Sequence, residues 1–203
     1  MLEGEEIKDF IIAGLDITSY ALKTLAQQRS AQDRVDRCLQ EAVQAHRPKR
    51  QLPLWLDAGD GGYALFDWGE REVLGLLTDF YARLARVNAE VTPENRVVVR
   101  IALHKGQIIC WRTKLGSKYT STAINDCARL LTGMSRKHES QVVCSGEFFK
   151  AISTLDEVAK AVRLRDIEDK HGGQHEVWNL RREPGFGVHP DEPEKHLHPL
   201  KRG

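Results

Sequence analysis

Apolar and polar positions alternate along this chain in stretches that predict separate strands and helices. Residues 10–15 form a short apolar run ending at Asp16, the pattern of a central strand buried on both faces. Residues 19–44 switch to helical periodicity, with Leu22, Leu25, Ala26, Val35, Leu39, Ala42 and Val43 on recurring faces. Ser30 and Asp33 are candidate caps for a second helix after a break near Arg29. Residues 52–58 and 63–67 read as strands around Gly59-Asp60-Gly61-Gly62, a hairpin turn signal. Residues 70–88 form an amphipathic helix, followed by a loop over 91–95.

Residues 97–104 are β-branched and apolar, and Lys105-Gly106 reads as a tight turn into a partner strand over 107–112. Residues 113–119 read as a polar loop, and 120–132 as a helix with Ile124, Ala128 and Leu131 on one stripe. A short strand over 141–144, a short helix over 147–152 and a last strand pair over 162–167 and 176–180 complete the pattern. Helices and hairpins mixed in this order predict an α+β domain, residues 1–182, with helices on a mostly antiparallel sheet. From Glu183 the chain is rich in Pro, His and charge and is expected to form a polar tail, 183–203.

Composition narrows the class. The 203 residues suit one domain, with 41% hydrophobic and 29% charged residues. A net charge of +1 gives no field for nucleic acid or an anionic membrane. No stretch approaches the roughly 18 apolar residues that span a bilayer, and the acidic start is no secretory signal. Cys38, Cys110, Cys127 and Cys144 show no CxxC spacing and lie in apolar stretches, as expected of reduced thiols in a cytoplasmic protein.

The candidate chemistry lies at a few polar positions. Asp16 ends a buried strand and Asp60 tips a Gly-rich hairpin. If their strands are neighbours, two hard oxygen ligands meet at one edge, which suits Mg²⁺ or Mn²⁺ with a polyphosphate. Backbone N–H groups after Asp16 are candidates to cradle phosphate. Taken alone, Asp16 reads as a helix cap and Asp60 as a turn residue. Asn125 and Arg129, spaced i and i+4, project from one helix face, where an amide and a guanidinium suit a ribose and a phosphate. Taken alone, they form a solvated face. Lys170, before Gly172-Gly173, suits a terminal phosphate or is a surface lysine.

The order of these features says more than any one of them. Residues 12–17 read IAGLDI, 56–65 LDAGDGGYAL, 99–106 VRIALHKG, 123–130 AINDCARL and 141–145 QVVCS, and Lys170 lies in EDKHGGQHEVWNL. In this order, over residues 10–180, the set resembles the class III adenylate and guanylate cyclase catalytic domain. The resemblance implies the ferredoxin-like cyclase fold and a homodimer with active sites at the interface. It makes Asp16, Asp60 and the carbonyl of Ile17 the metal ligands, for two Mn²⁺ or Mg²⁺ ions. Asn125 and Arg129 become the transition-state pair supplied by the other protomer, and Lys170 a triphosphate contact.

Two departures bear on the base. Where adenylate cyclases place a base-reading lysine, this chain has Leu56, which neither donates nor accepts a hydrogen bond. The second base-reading position corresponds to Lys118. With the short chain and no fused regulatory domain expected, these features resemble the bacterial antiphage pyrimidine cyclases of Pycsar systems. That implies a nucleoside triphosphate substrate, UTP before CTP, with the lysine donating to uracil carbonyls, and cyclic UMP or cyclic CMP as product. Rival readings are an adenylate cyclase with divergent base recognition and a non-catalytic cyclase-like dimerisation module. A GGDEF-type diguanylate cyclase is disfavoured, because GDGG lacks the acidic pair that follows the glycines there.

Overall fold

The computed structural model describes residues 6–46, 53–114, 116–134, 142–155, 161–164, 166–168 and 173–180. The apolar run at the start extends on both sides into β1 (Glu6–Ile17). The helical pattern that follows gives one 3-10 turn, Tyr20–Leu22, and then a single uninterrupted helix, α1 (Leu25–His46). The break expected near Arg29 is absent, because the true start signal lies earlier. Thr24 and Gln27 bond reciprocally, the Thr24 N–H to Gln27 Oε1 at 3.0 Å and the Gln27 N–H to Thr24 Oγ1 at 3.4 Å.

The GDGG hairpin joins β2 (Leu54–Asp57) to β3 (Gly61–Phe66), and α2 spans Glu70–Ala89 as its periodicity requires. The next strand differs from expectation. Lys105-Gly106 does not turn, and β4 runs unbroken over Val99–Thr113. Gly106 serves a different need: a Cβ there would lie 2.6 Å from the Cβ of Ala123, so glycine lets the following helix approach the strand. The expected polar loop contains a strand, β5 (Gly116–Thr120), which folds back on β4 with Cys110 opposite Tyr119. Then come α3 (Thr122–Gly133), β6 (Val142–Ser145) and α4 (Gly146–Ile152). Short strands β7 (Val162–Arg163), β8 (Ile167–Glu168), β9 (Gln174–His175) and β10 (Val177–Asn179) follow. The single strand expected over 162–167 is thus two, β7 pairing with β10 and β8 with β9.

The main sheet has the order β2-β3-β1-β4-β6-β10-β7, with β5 alongside β4. Its pairings are antiparallel except β4 with β6. β1 is central, bonded to β3 and along its whole length to β4. Alternation sends Ile11, Ala13, Leu15, Ile101 and Leu103 to one face, where α1, α2 and α4 bury them in the larger core. Ile12, Ala102, Ile108, Val143 and Val177 point to the other face, where α3 covers them with Ala123, Cys127, Leu130 and Leu131. The side chain of Asn88 stands in for a strand at the entry to β4, donating to the Val97 carbonyl at 2.7 Å and accepting from its N–H at 2.9 Å. The connector at 47–50, the segment with Lys170 and the tail from Glu183 lie outside the described residues.

Candidate active site

Sheet register brings the two aspartates together. Asp16, near the end of β1, sits opposite Gly61 of β3, and the Ile17 N–H donates to the Asp60 carbonyl at 2.9 Å. The hairpin tip is tightly constrained. Gly59 has φ of 88°, a left-handed backbone that glycine adopts without strain. A Cβ on Gly61 would lie 2.0 Å from the Leu15 carbonyl oxygen, so only glycine allows this approach beside Asp16. Asp57 Oδ1 accepts from the Gly59 N–H at 2.9 Å, and Gln32 of α1 donates to the Gly59 carbonyl. The hairpin is thereby braced against the helix behind it.

Alternation along β1 puts Asp16 on the α3 face of the sheet, two residues past Gly14, where a Cβ would lie 2.7 Å from Leu131. Asp60 is exposed at the tip and Asp16 is partly buried. Tyr63 feels both. Its hydroxyl is pushed up chiefly by burial, then by its neighbours Cys127, Asp60 and Asp16. Asp16 also has a partner that the sequence did not single out. Arg100, directly across from it on β4, donates to Asp16 Oδ2 through Nε at 2.8 Å and also through Nη2. Its Nη1 donates to the Met134 carbonyl at 2.9 Å, just past the end of α3.

The donor set fits a hard divalent cation delivered with a polyphosphate. Such ions take one or two protein carboxylates and complete their shell with phosphate and water oxygens. Among the described residues no group of three or more His, Cys, Asp or Glu side chains could hold a metal by itself. The Ile17 carbonyl shares its strand edge with the N–H that meets Asp60, so it too faces the hairpin. The N–H groups of Ile17 and Thr18 are spent on Asp60 and on Val98. Any phosphate-cradling role for backbone after Asp16 therefore falls to residues 19–21.

Asn125 and Arg129 lie on the side of α3 turned away from the core residues Ala123 and Cys127. Asn125 is exposed, and Arg129 Nη1 donates to Asp126 one turn back. Met134, the residue held by Arg100, follows α3 at the opposite end from Asn125. Asn125 is thus roughly 13 Å up the helix from the end nearest its own chain's Asp16. Leu56 is half-buried on β2 across from Tyr63, which in turn pairs with Gly14. Leu56 stands level with Ala102 of β4, whereas Lys118 stands exposed on β5, level with Trp111. The register does not bring these two positions together within one chain. Lys170 lies outside the described residues.

No family model and no curated protein matches the sequence. Solved structures do match. The adenylate/guanylate cyclase/hydrolase from Silicibacter pomeroyi is similar at TM-score 0.68 and 17% identity, over 88% of this chain and 99% of that one. This chain has the class III nucleotidyl cyclase fold. Two more cyclase domains show the same likeness. The guanylate cyclase domain of RhGC from Catenaria anguillulae, in complex with GTP, has TM-score 0.66 and 11% identity over 88% of this chain and 100% of that one. The non-canonical dimeric guanylyl cyclase domain of RhoGC from Blastocladiella emersonii has TM-score 0.65 and 11% identity over 88% and 99%. In the cyclase fold of this chain, β1 and the β2–β3 hairpin carry Asp16 and Asp60, and α3 carries Asn125 and Arg129. No helix among the described residues is long and apolar enough to cross a membrane.

Proposed function

We propose that this chain is a nucleotidyl cyclase. It turns a pyrimidine nucleoside triphosphate, UTP before CTP, into a 3′,5′-cyclic mononucleotide and pyrophosphate. The observation that carries the reading is the placement of Asp16 and Asp60 on adjoining strand ends, beside a glycine whose position admits no side chain, in a fold shared with solved cyclase domains. One of those domains holds GTP, and a second, from a rhodopsin-guanylyl cyclase, holds ATPαS.

In this reading the ribose 3′-oxygen attacks the α-phosphorus and gives up its proton to solvent water. The new P–O bond closes the ring as the bond to the β-phosphate breaks, and pyrophosphate leaves. Asp16, Asp60 and the Ile17 carbonyl would hold two divalent cations, Mn²⁺ or Mg²⁺. When bound, such ions would neutralise charge on the triphosphate and lower the cost of deprotonating the 3′-hydroxyl. Arg129 leaves Asp126 to meet charge developing on the transferring phosphoryl group, and Asn125 orients the ribose. Lys170 contacts the triphosphate.

Asn125 stands far along α3 from its own Asp16, which favours a homodimer in which each site takes its metals from one protomer and its clamp from the other. Leu56 supports a pyrimidine, since it offers an apolar wall in place of a lysine donor, and Lys118 supplies a donor to uracil carbonyl oxygens. The resemblance to Pycsar cyclases carries the biological reading, a second messenger in bacterial antiphage defence.

The test is incubation of the purified protein with each of the four NTPs and Mn²⁺, with products separated by chromatography. Cyclic UMP is expected as the main product and cyclic CMP second. Turnover of ATP alone would replace the pyrimidine reading with an adenylate cyclase of divergent base recognition. A folded protein inert toward all four would leave the non-catalytic dimerisation module.

A further inference from the structure

Tyr63 is a polar neighbour of the position read as facing the base, and the fold gives its hydroxyl no work. It lies on β3, directly across from Leu56 on β2 and from Gly14 on β1. Opposed residues of an antiparallel pair hold their Cβ atoms about 5 Å apart on one face, so whatever rests on Leu56 also meets the tyrosine ring. Both side chains turn to the α3 face, where they are half-buried against the smaller core. Glycine on the other side makes room for the ring. A Cβ on Gly14 would lie 3.2 Å from Tyr63 Cε1 and 2.7 Å from Leu131 Cδ1. The ring is thus lodged over β1, between Leu56 and α3. Among the described residues its hydroxyl has no hydrogen-bond partner, although Cys127, Asp60 and Asp16 are near enough to act on it.

We infer that Tyr63 is a specificity-determining residue of the nucleotide site, packing its ring on the base and bonding the base edge through its hydroxyl. This inference rests on the reading of position 56 as facing the base. Leu56 offers neither donor nor acceptor, and the register does not bring Lys118 to it within one chain. The phenol supplies both at that place. It donates to a uracil carbonyl oxygen or to N3 of cytosine, and it accepts from uracil N3–H or the cytosine amine. The ring also takes up depth beside Leu56, so a one-ring base fits where the second ring of a purine collides.

The experiment uses 3′-deoxynucleoside triphosphates, which keep base and triphosphate but lack the hydroxyl that cyclises. Their dissociation constants are measured by titration calorimetry with Mn²⁺ present, beside inorganic tripolyphosphate, which has no base. Tyr63→Phe keeps the ring and removes only an oxygen that bonds none of the described residues. It is expected to bind the pyrimidine analogues about tenfold more weakly than the wild type, the worth of one hydrogen bond, with tripolyphosphate unchanged. Unchanged nucleotide binding overturns the inference. So does an equal loss for tripolyphosphate, which would put the tyrosine at the phosphates instead. Tyr63→Ala is expected to narrow the preference for pyrimidine over purine analogues about tenfold, and an unchanged preference overturns the part given to the ring. If Tyr63→Ala does not fold, Tyr63→Phe decides alone. If the wild type prefers a purine analogue, the pyrimidine reading fails, while a tenfold loss for that analogue in Tyr63→Phe still assigns the base contact to Tyr63. If the wild type binds tripolyphosphate as tightly as every analogue, no base is read, and the reading of position 56 falls together with this inference.

Discussion

At the scale of single residues, polar groups on the α3 side of the sheet are held by specific partners. His104 is buried, and its Nδ1 lies 2.8 Å from Ser145 Oγ, which also accepts the Phe148 N–H to cap α4. Burial holds the imidazole below its ordinary value. Asp126 and Glu147 push it up, and His175 pushes it further down. The neutral ring is the folded form, so an unfolded chain takes up the proton first as pH falls. The stabilisation is complete above the unfolded value of about 6.5 and drains away as pH drops through the folded one. Urea midpoints at pH 7.5 and 5.5 should therefore fall further for the wild type than for His104→Asn. Equal falls would assign the acid sensitivity to other groups. The thiols need no such switch. Burial pushes Cys127 up to about 12 and raises Cys144 as well, so both stay protonated and apolar, as their sequence surroundings predicted. Arg100 is the residue the sequence hid. A lone arginine in a β-branched run reads as a strand residue facing solvent. Its partner is 84 positions away, and only the register of β1 on β4 reveals it.

At the scale of elements, the sequence was informative wherever periodicity was strong and misleading wherever one residue type has two uses. The long helix α2 and the helix α3 lie within two residues of their expected bounds, because each has one continuous apolar stripe. Gly106 reads in the sequence as a turn residue, but its purpose is the close approach of α3. Gly106→Ala should cost about 1–3 kcal/mol by forcing the helix off the strand, since the new methyl would meet the Cβ of Ala123. A urea titration measures this, and a cost near zero would mean the helix has room to shift. β5 escaped notice because an edge strand with most residues in water shows no apolar alternation, only Tyr119 packing inward. The start of α1 was legible in principle. The Thr24-x-x-Gln27 capping box marks it, but Ser30 and Asp33 are more familiar caps and drew the boundary inward. Of the candidate site, Asp16 and Asp60 could be foreseen as neighbours from a strand and hairpin in sequence. The level of Lys118 on the sheet relative to Leu56 could not, because it depends on β4 running straight through Lys105-Gly106.

At the scale of the whole molecule, one protomer carries both halves of the proposed machinery but sets them apart along α3. That geometry predicts complementation. Asp60→Ala lacks a metal ligand and Arg129→Ala lacks a clamp, so each should be inactive alone while remaining a folded dimer. Mixed at equal amounts with free exchange, half of the dimers are heterodimers with one intact site, and about a quarter of wild-type activity should return. No recovery, with exchange confirmed by mass, would place all the machinery within one chain.

The sheet also separates two kinds of duty by side. The larger core, with α1, α2 and α4, lies behind the strands, whereas Asp16, Arg100, Tyr63 and α3 occupy the front. Anyone wishing to harden this protein has the rear wall to rebuild, apart from Gln32 of α1, which reaches forward to the hairpin that carries Asp60. Changes around Leu76, Phe80 or Ile152 alter the strength of the core and leave the front-face groups where they are.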